Sequence, residues 1–194
     1  KWFRNEFCPD LVAQGGDAFD RMNELAARAP ALSRGVALFP HMTGMQFPVV
    51  DEGARGVFFG VGLDATRGCF IRAIMEGVGY MLRESLAQMG LRPARVISLG
   101  GGAKSALWCG IKASICHTVF ETLQHQETTS LGAAMLGGLA IGVFPNLEAA
   151  AGKLAVCDAY TPSAADEAAY DAGYERYLRM YRQFAPLFQH EKEA

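Results

Sequence analysis

Three consecutive glycines, Gly100, Gly101 and Gly102, followed by Ala103, Lys104 and Ser105, separate an apolar run from a helix-forming segment. A turn without Cβ atoms lets a ligand approach the backbone, and the N–H groups at a helix start face an anion with the positive end of the helix dipole. That chemistry suits a phosphate or a nucleotide sugar. The same residues also make a plain tight connection, and the spacing alone does not choose between the two. The pattern is not a Walker A loop, which requires glycine where Ser98 and Ala103 stand before Lys104 and Ser105.

Other residue groups invite chemistry and carry it less well. Gly60, Gly62 and Ala65 approach the G-x-G-x-x-A dinucleotide pattern, but the acidic residue about twenty positions on, Glu84, falls in mid-helix. Asp51, Glu52, Gly53 and Ala54 have the shape of a turn that grips phosphate and metal; Pro48 and the lack of long flanking strands make them a surface turn. Cys109 and Cys116 are seven apart on one helix, with His117 and His125 nearby. Their spacing spreads ligands over two turns with no acidic partner, so they read as small buried hydrophobes. None of the four histidines (His41, His117, His125, His190) stands beside a recognised nucleophile motif, which leaves a catalytic triad without support. Arg72 and Glu76, one helical turn apart, can either pair with each other or brace a loop; an exposed pair contributes about 0.3–0.5 kcal/mol.

The elements that must position the glycine turn follow from periodicity. Two short helices are expected within residues 1–34, the second over 17–29 with Phe19, Met22, Leu25 and Ala26 on one face, stopped by Pro30. Residues 36–39 and 57–61 read as strands. Thr66 caps a long helix, whose apolar positions from Phe70 to Met89 recur every three to four residues and end at Gly90. Residues 95–99 read as a buried strand leading into the glycine turn, and 106–116 as the helix after it. Residues 118–123 form a further strand, and 128–142 a helix whose Gly and Ala content predicts close packing on a sheet or neighbouring helix. Asn146 starts a short helix, and 164–190 form the last one, with Tyr170, Tyr174, Tyr177, Leu178, Tyr181, Phe184 and Phe188 inside. The alternation over 57–142 predicts an α/β layer architecture with parallel strands, and in such sheets ligands bind at the carboxyl ends of the strands. The glycine turn lies at such an end.

Composition sets the outer limits. With 51% apolar and 20% charged residues among 194, the chain has the profile of one folded domain. Its net charge of −2 provides no bulk field for nucleic acid or an anionic membrane. Five scattered cysteines with no Cys-x-x-Cys pair argue against a disulfide framework and for a reducing cytoplasm. The longest apolar run is too short to cross a bilayer, and the start shows no signal pattern. The cluster of Trp2, Phe3 and Phe7 so near Lys1, with no initiating Met, gives the expectation that more protein precedes this segment.

Residues 39–144 resemble the C-terminal domain of the FGGY carbohydrate kinases, xylulokinases most closely. Three blocks carry the resemblance: Phe39-Pro40-His41-Met42-Thr43-Gly44 with Arg55-Gly56-Val57-Phe58-Phe59-Gly60; Arg72-Ala73-Ile74-Met75-Glu76-Gly77-Val78; and Gly100 through Trp108 continuing to Glu127-Thr128-Thr129-Ser130-Leu131-Gly132-Ala133-Ala134. The resemblance implies an actin-like, ribonuclease-H-like α/β domain, with residues 1–194 as the C-terminal nucleotide-binding domain of a two-domain sugar kinase. It implies that Gly100, Gly101, Gly102, Ala103, Lys104 and Ser105 contact the α-phosphate and adenosine of ATP. The sugar site, the catalytic aspartate and the turns that hold phosphate and Mg2+ then belong to an N-terminal domain or to the segment before Lys1. No catalytic or metal-binding residue is expected within this chain, so alone it should show no turnover. Xylulose is the expected sugar, a homodimer is compatible, and neither nucleic acid nor membrane is an expected partner. One departure stands out: where the family has Gly-Glu-Arg-x-Pro, this chain has Gly44-Met45-Gln46-Phe47-Pro48, losing a charged pair beside the interdomain cleft. That departure keeps open an actin-like nucleotide-binding or assembly module without sugar kinase activity; a dinucleotide oxidoreductase lacks its ribose-binding acid.

Overall fold

The computed structural model describes residues 1–47, 49–124 and 128–190. Helices α1 (Trp2–Phe7), α2 (Pro9–Ala13) and α3 (Ala18–Ala27) precede strands β1 (Ala37–Phe39) and β2 (Val57–Phe59) and the long helix α4 (Arg67–Gln88). Strand β3 (Arg95–Ser98), helix α5 (Ala106–Cys116) and strand β4 (Val119–Leu123) follow, then α6 (Thr128–Ala140), α7 (Leu147–Ala151), β5 (Val156–Tyr160) and α8 (Glu167–His190). Three helices stand where two were expected, α1 and α2 being separated at Cys8 with φ −136°; the second expected helix is α3, capped by Asp17, which accepts the Phe19 N–H at 2.8 Å.

Helix α4 is the organising element. It packs on α3, α5, β1 and α8, and its backbone comes so close to β1 that a Cβ at Gly77 would stand 2.5 Å from the Leu38 carbonyl oxygen. Only glycine allows that approach. Phe3, Met22, Phe39, Ile71, Met75, Ile115 and the inner tyrosines of α8 form one continuous core around it. Phe39 stacks on Tyr181 and Phe188 with ring centroids 5.6 and 6.2 Å apart, tying β1 to α8.

The Arg72–Glu76 pair is buried rather than exposed, at 8% and 3% exposure. Arg72 Nε donates to Glu76 Oε1 at 3.0 Å, and its other nitrogens donate to the Ala29 carbonyl and the Tyr170 hydroxyl. Glu76 also accepts the Leu32 N–H at 3.0 Å and the Ser33 hydroxyl at 2.8 Å. Those acceptor positions fix an unusual turn, in which Leu32, Ser33 and Arg34 all have left-handed φ (63°, 50° and 54°). Non-glycine residues there cost about 1–2 kcal/mol each, so the pair does brace a loop, and a strained one. Burial pushes the Glu76 carboxyl up from its ordinary value, against the Ser33 hydroxyl and Arg72.

Sheet topology departs in part from expectation. β3 and β4 are parallel, in register Val96 with Phe120. β5, in a stretch to which periodicity assigns no element, joins β4 antiparallel, and β1 and β2 form a separate antiparallel ribbon, so the expectation of parallel strands holds only for β3 and β4. Two burial expectations are corrected. β3 is not a buried strand: Ile97 is 40% exposed, and Leu99 beyond it 49%. Helix α6 packs chiefly on the neighbouring α7 and leaves Leu136 exposed; of its glycines only Gly138 marks a close approach, where a Cβ would stand 2.8 Å from the Phe144 ring.

Candidate functional site

The glycine turn begins where β3 ends. Gly100 has φ 70° and ψ −161°, a conformation essentially closed to residues with a Cβ. Residues Gly101–Lys104 then make one 3-10 turn, closed by the Ala103 N–H donating to the Gly100 carbonyl at 3.0 Å. Ser105 caps α5: its Oγ accepts the Trp108 N–H at 3.1 Å and donates to Asn23 Oδ1 at 2.9 Å, fastening the turn to α3. The Trp108 ring lies under Gly102, where a Cβ would meet it at 3.2 Å, and its indole N–H donates to the Met75 carbonyl at 3.1 Å. Nothing stands within 4 Å of a Cβ built on Gly100 or Gly101. The outer side of the turn is open.

That open side borders a cleft of about 490 Å³ between α1, α3, α4 and the turn. Phe3, Met22, Ile71, Ile74, Met75 and Trp108 supply apolar walls, while Arg4, Asp17, Asp20 and Asn23 line it with polar groups. Of the six residues singled out by sequence, Gly101, Gly102, Lys104 and Ser105 line the cleft. Gly100 shapes the turn from behind, and Ala103 is buried, its side chain turned into the protein. A larger cavity, about 690 Å³, lies at the C-terminal ends of α4 and α5 around Arg83, Arg92 and His117. The smaller cleft is the better candidate, because it joins apolar walls to a helix start and its free amides, as small-ligand sites do.

Beneath the turn lies a residue the sequence reading passed over. Lys112, on α5, is 8% exposed; its Nζ donates to Ser98 Oγ at 2.6 Å and stands 5.6 Å from the Trp108 ring centroid and 5.2 Å from that of Phe120. Burial pulls its pKa below the ordinary lysine value. The available signal was its isolation: it is the single charged residue in the α5 sequence ALWCGIKASIC. The contributions of α1 and α3 were also unassigned, since Asn23 meets Ser105 across 82 positions of chain.

The remaining motifs have structural places. Cys109 is buried and its thiol lies 3.7 and 3.8 Å from the Gly102 and Ala103 carbonyls, on the inner side of the turn. His117 is not near it in function: it bonds Asp171 at 2.7 Å on α8. His125, Glu127 and Pro48 lie outside the described residues. Met45 is buried in the core and exchanges two 2.8 Å backbone hydrogen bonds with Asp51, whose carboxylate accepts the Gly53 N–H. The Asp51 segment is thus the return arm of a small turn. Among the described residues, no three potential metal ligands converge, and no helix is long and apolar enough to cross a membrane.

Comparison with known proteins follows the same lines. The chain is 30% identical over 175 residues to a xylulose kinase of Staphylococcus epidermidis, covering 88% of this chain and 35% of that protein. It is 33% identical over 171 residues to a glycerol kinase of Clostridium beijerinckii, covering 86% and 33%. The chain therefore spans about a third of the length of these relatives. A solved xylulose kinase from Lactobacillus acidophilus superposes with a TM-score of 0.86 at 23% identity, over 97% of this chain and 38% of that one. The fold is accordingly the actin-like α/β fold of such kinases. Residues 1–141 match the family described as "FGGY family of carbohydrate kinases, C-terminal domain". By that match, with the glycine turn and its cleft in place, the chain belongs to the FGGY family of carbohydrate kinases, in the region of their C-terminal domain.

Proposed function

We propose that residues 1–194 form the nucleotide-binding domain of a kinase that transfers the γ-phosphoryl group of ATP to a sugar hydroxyl. The observation that carries this reading is the turn at residues 100–105, with open backbone amides beside an apolar cleft large enough for a purine. In this reading Gly101 and Gly102 face the α-phosphate, Ser105 fixes the turn against α3, and Phe3, Ile74 and Trp108 enclose the adenosine. Phosphoryl transfer relies mainly on positioning and charge neutralisation. This domain contributes the first. In this reading Mg2+ and the catalytic base come from a partner lobe that closes on this one.

Xylulose stands first among the substrates, on the three sequence blocks and the xylulose kinases among the relatives; glycerol is the rival, since glycerol kinases match as well. Turnover of the kinase carrying this domain on xylulose and on glycerol separates the two. A second reading, nucleotide binding without sugar phosphorylation, is favoured by Met45, which is buried where the family carries a charge; absence of turnover with any polyol would select it. Nucleotide binding itself is tested by thermal unfolding. ATP at about ten times its Kd is expected to stabilise the chain by about 1.4 kcal/mol, on the order of 3–5 °C, and NADH to leave it unchanged. A larger shift with NADH than with ATP would reject the assignment.

A further inference from the structure

A buried ammonium group lies where β3 ends and the glycine turn follows. Lys112 Nζ bonds Ser98 Oγ, 2.6 Å away and two residues before Gly100, and stands 5.6 Å from the ring centroid of Trp108, the ring against which Gly102 packs. Among the described residues no carboxylate lies within ion-pair distance of it. Holding a charge away from water without a counter-ion is costly, and an apolar side chain of similar volume would fill the same space at lower cost. A hydroxyl and two aromatic faces compensate the ammonium only in part. The missing compensation has a natural source. An anion seated on the turn would supply the opposite charge near the cation without touching it, since Lys112 does not line the cleft, in surroundings where charges interact more strongly than in water.

We infer that Lys112 is a positioning residue for a polyphosphate: a buried cation that sets the glycine turn and favours a charged nucleotide over its uncharged nucleoside. The inference rests on the reading that the turn receives a nucleotide. Ser98 and Trp108 transmit its effect, and Lys112 itself touches no ligand.

The test compares ATP with adenosine in titration calorimetry of this chain, using Lys112→Gln, a shorter polar side chain without charge, and Lys112→Met, which fills the space alone. Both variants are expected to weaken ATP roughly tenfold, leave adenosine within about twofold, and keep or raise the unfolding midpoint. Equal losses for ATP and adenosine, or a lowered midpoint in both variants, would make Lys112 a packing residue and overturn the inference. Lys112→Gln binding ATP as tightly as the parent would overturn it as well. Gly102→Val, run in parallel, separates the two levels: if that variant binds ATP as the parent does, the turn is not the nucleotide site and the inference falls with it. If Gly102→Val is impaired and Lys112→Gln is not, only the role of Lys112 is lost.

Discussion

The three glycines of the turn are not equivalent, although the sequence writes them alike. Gly100 holds a backbone conformation that excludes a Cβ, Gly102 is limited by the Trp108 ring, and Gly101 is limited by neither. Gly100→Ala is therefore expected to destabilise the chain by about 1–3 kcal/mol, and Gly101→Ala to be neutral or to stabilise by about 0.4–1 kcal/mol. Urea unfolding of the two variants checks this; equal losses would show that the turn's geometry is not as described. The presence of the turn was legible because three adjacent glycines between a strand and a helix have few other uses. Which glycine does what depends on φ at residue 100 and on the ring of Trp108, six positions after Gly102, and neither is visible in composition or spacing.

At the scale of elements, periodicity located the long helix α4 and the helix α5 closely, since both carry an apolar stripe over several turns. It could not reveal what the polar residues on α4 were for. Arg72 and Glu76 look like a surface pair at i, i+4, and their burial depends on Ala29, Ser33 and Tyr170, far away in the chain. Arg72→Met leaves the Glu76 carboxylate buried without its partner and is expected to cost about 3–5 kcal/mol in denaturant unfolding; adding Glu76→Gln should recover part of it. A loss below about 1 kcal/mol would return the pair to the surface class. Strand β5 escaped notice because its five residues, Val-Cys-Asp-Ala-Tyr, form a mostly exposed edge with no apolar alternation.

His41, in the segment after β1, adds a pH dependence at the same scale. It is buried against the Tyr177 hydroxyl at 3.2 Å, and burial lowers its pKa from the ordinary 6.5, opposed by Asp51. Below pH 6.5 the unfolded chain takes up a proton that the folded chain refuses, so stability is lost as pH falls, by up to about 1.4 kcal/mol per pH unit. His41→Gln is expected to flatten the slope of unfolding free energy between pH 7 and 5. An unchanged slope would place the titration elsewhere.

At the scale of the whole molecule, the helices gathered around α4 leave a cleft in which the start of a helix, open amides and apolar walls meet. That convergence was only half legible. The glycine turn announced its own side of the cleft, while Phe3, Asn23 and Met75 are brought to it by contacts spanning up to 82 positions. The molecule also presents the larger cavity near Arg83 and His117, far from the turn in its lining. The two cavities make opposite predictions for where ATP acts. Nitrogen-15 NMR of the labelled chain titrated with ATP decides between them. The backbone amides of residues 101–105 and the Trp108 indole N–H are expected to shift together and to saturate. Shifts confined to residues around Arg83 and His117, with the glycine turn unmoved, would contradict the account.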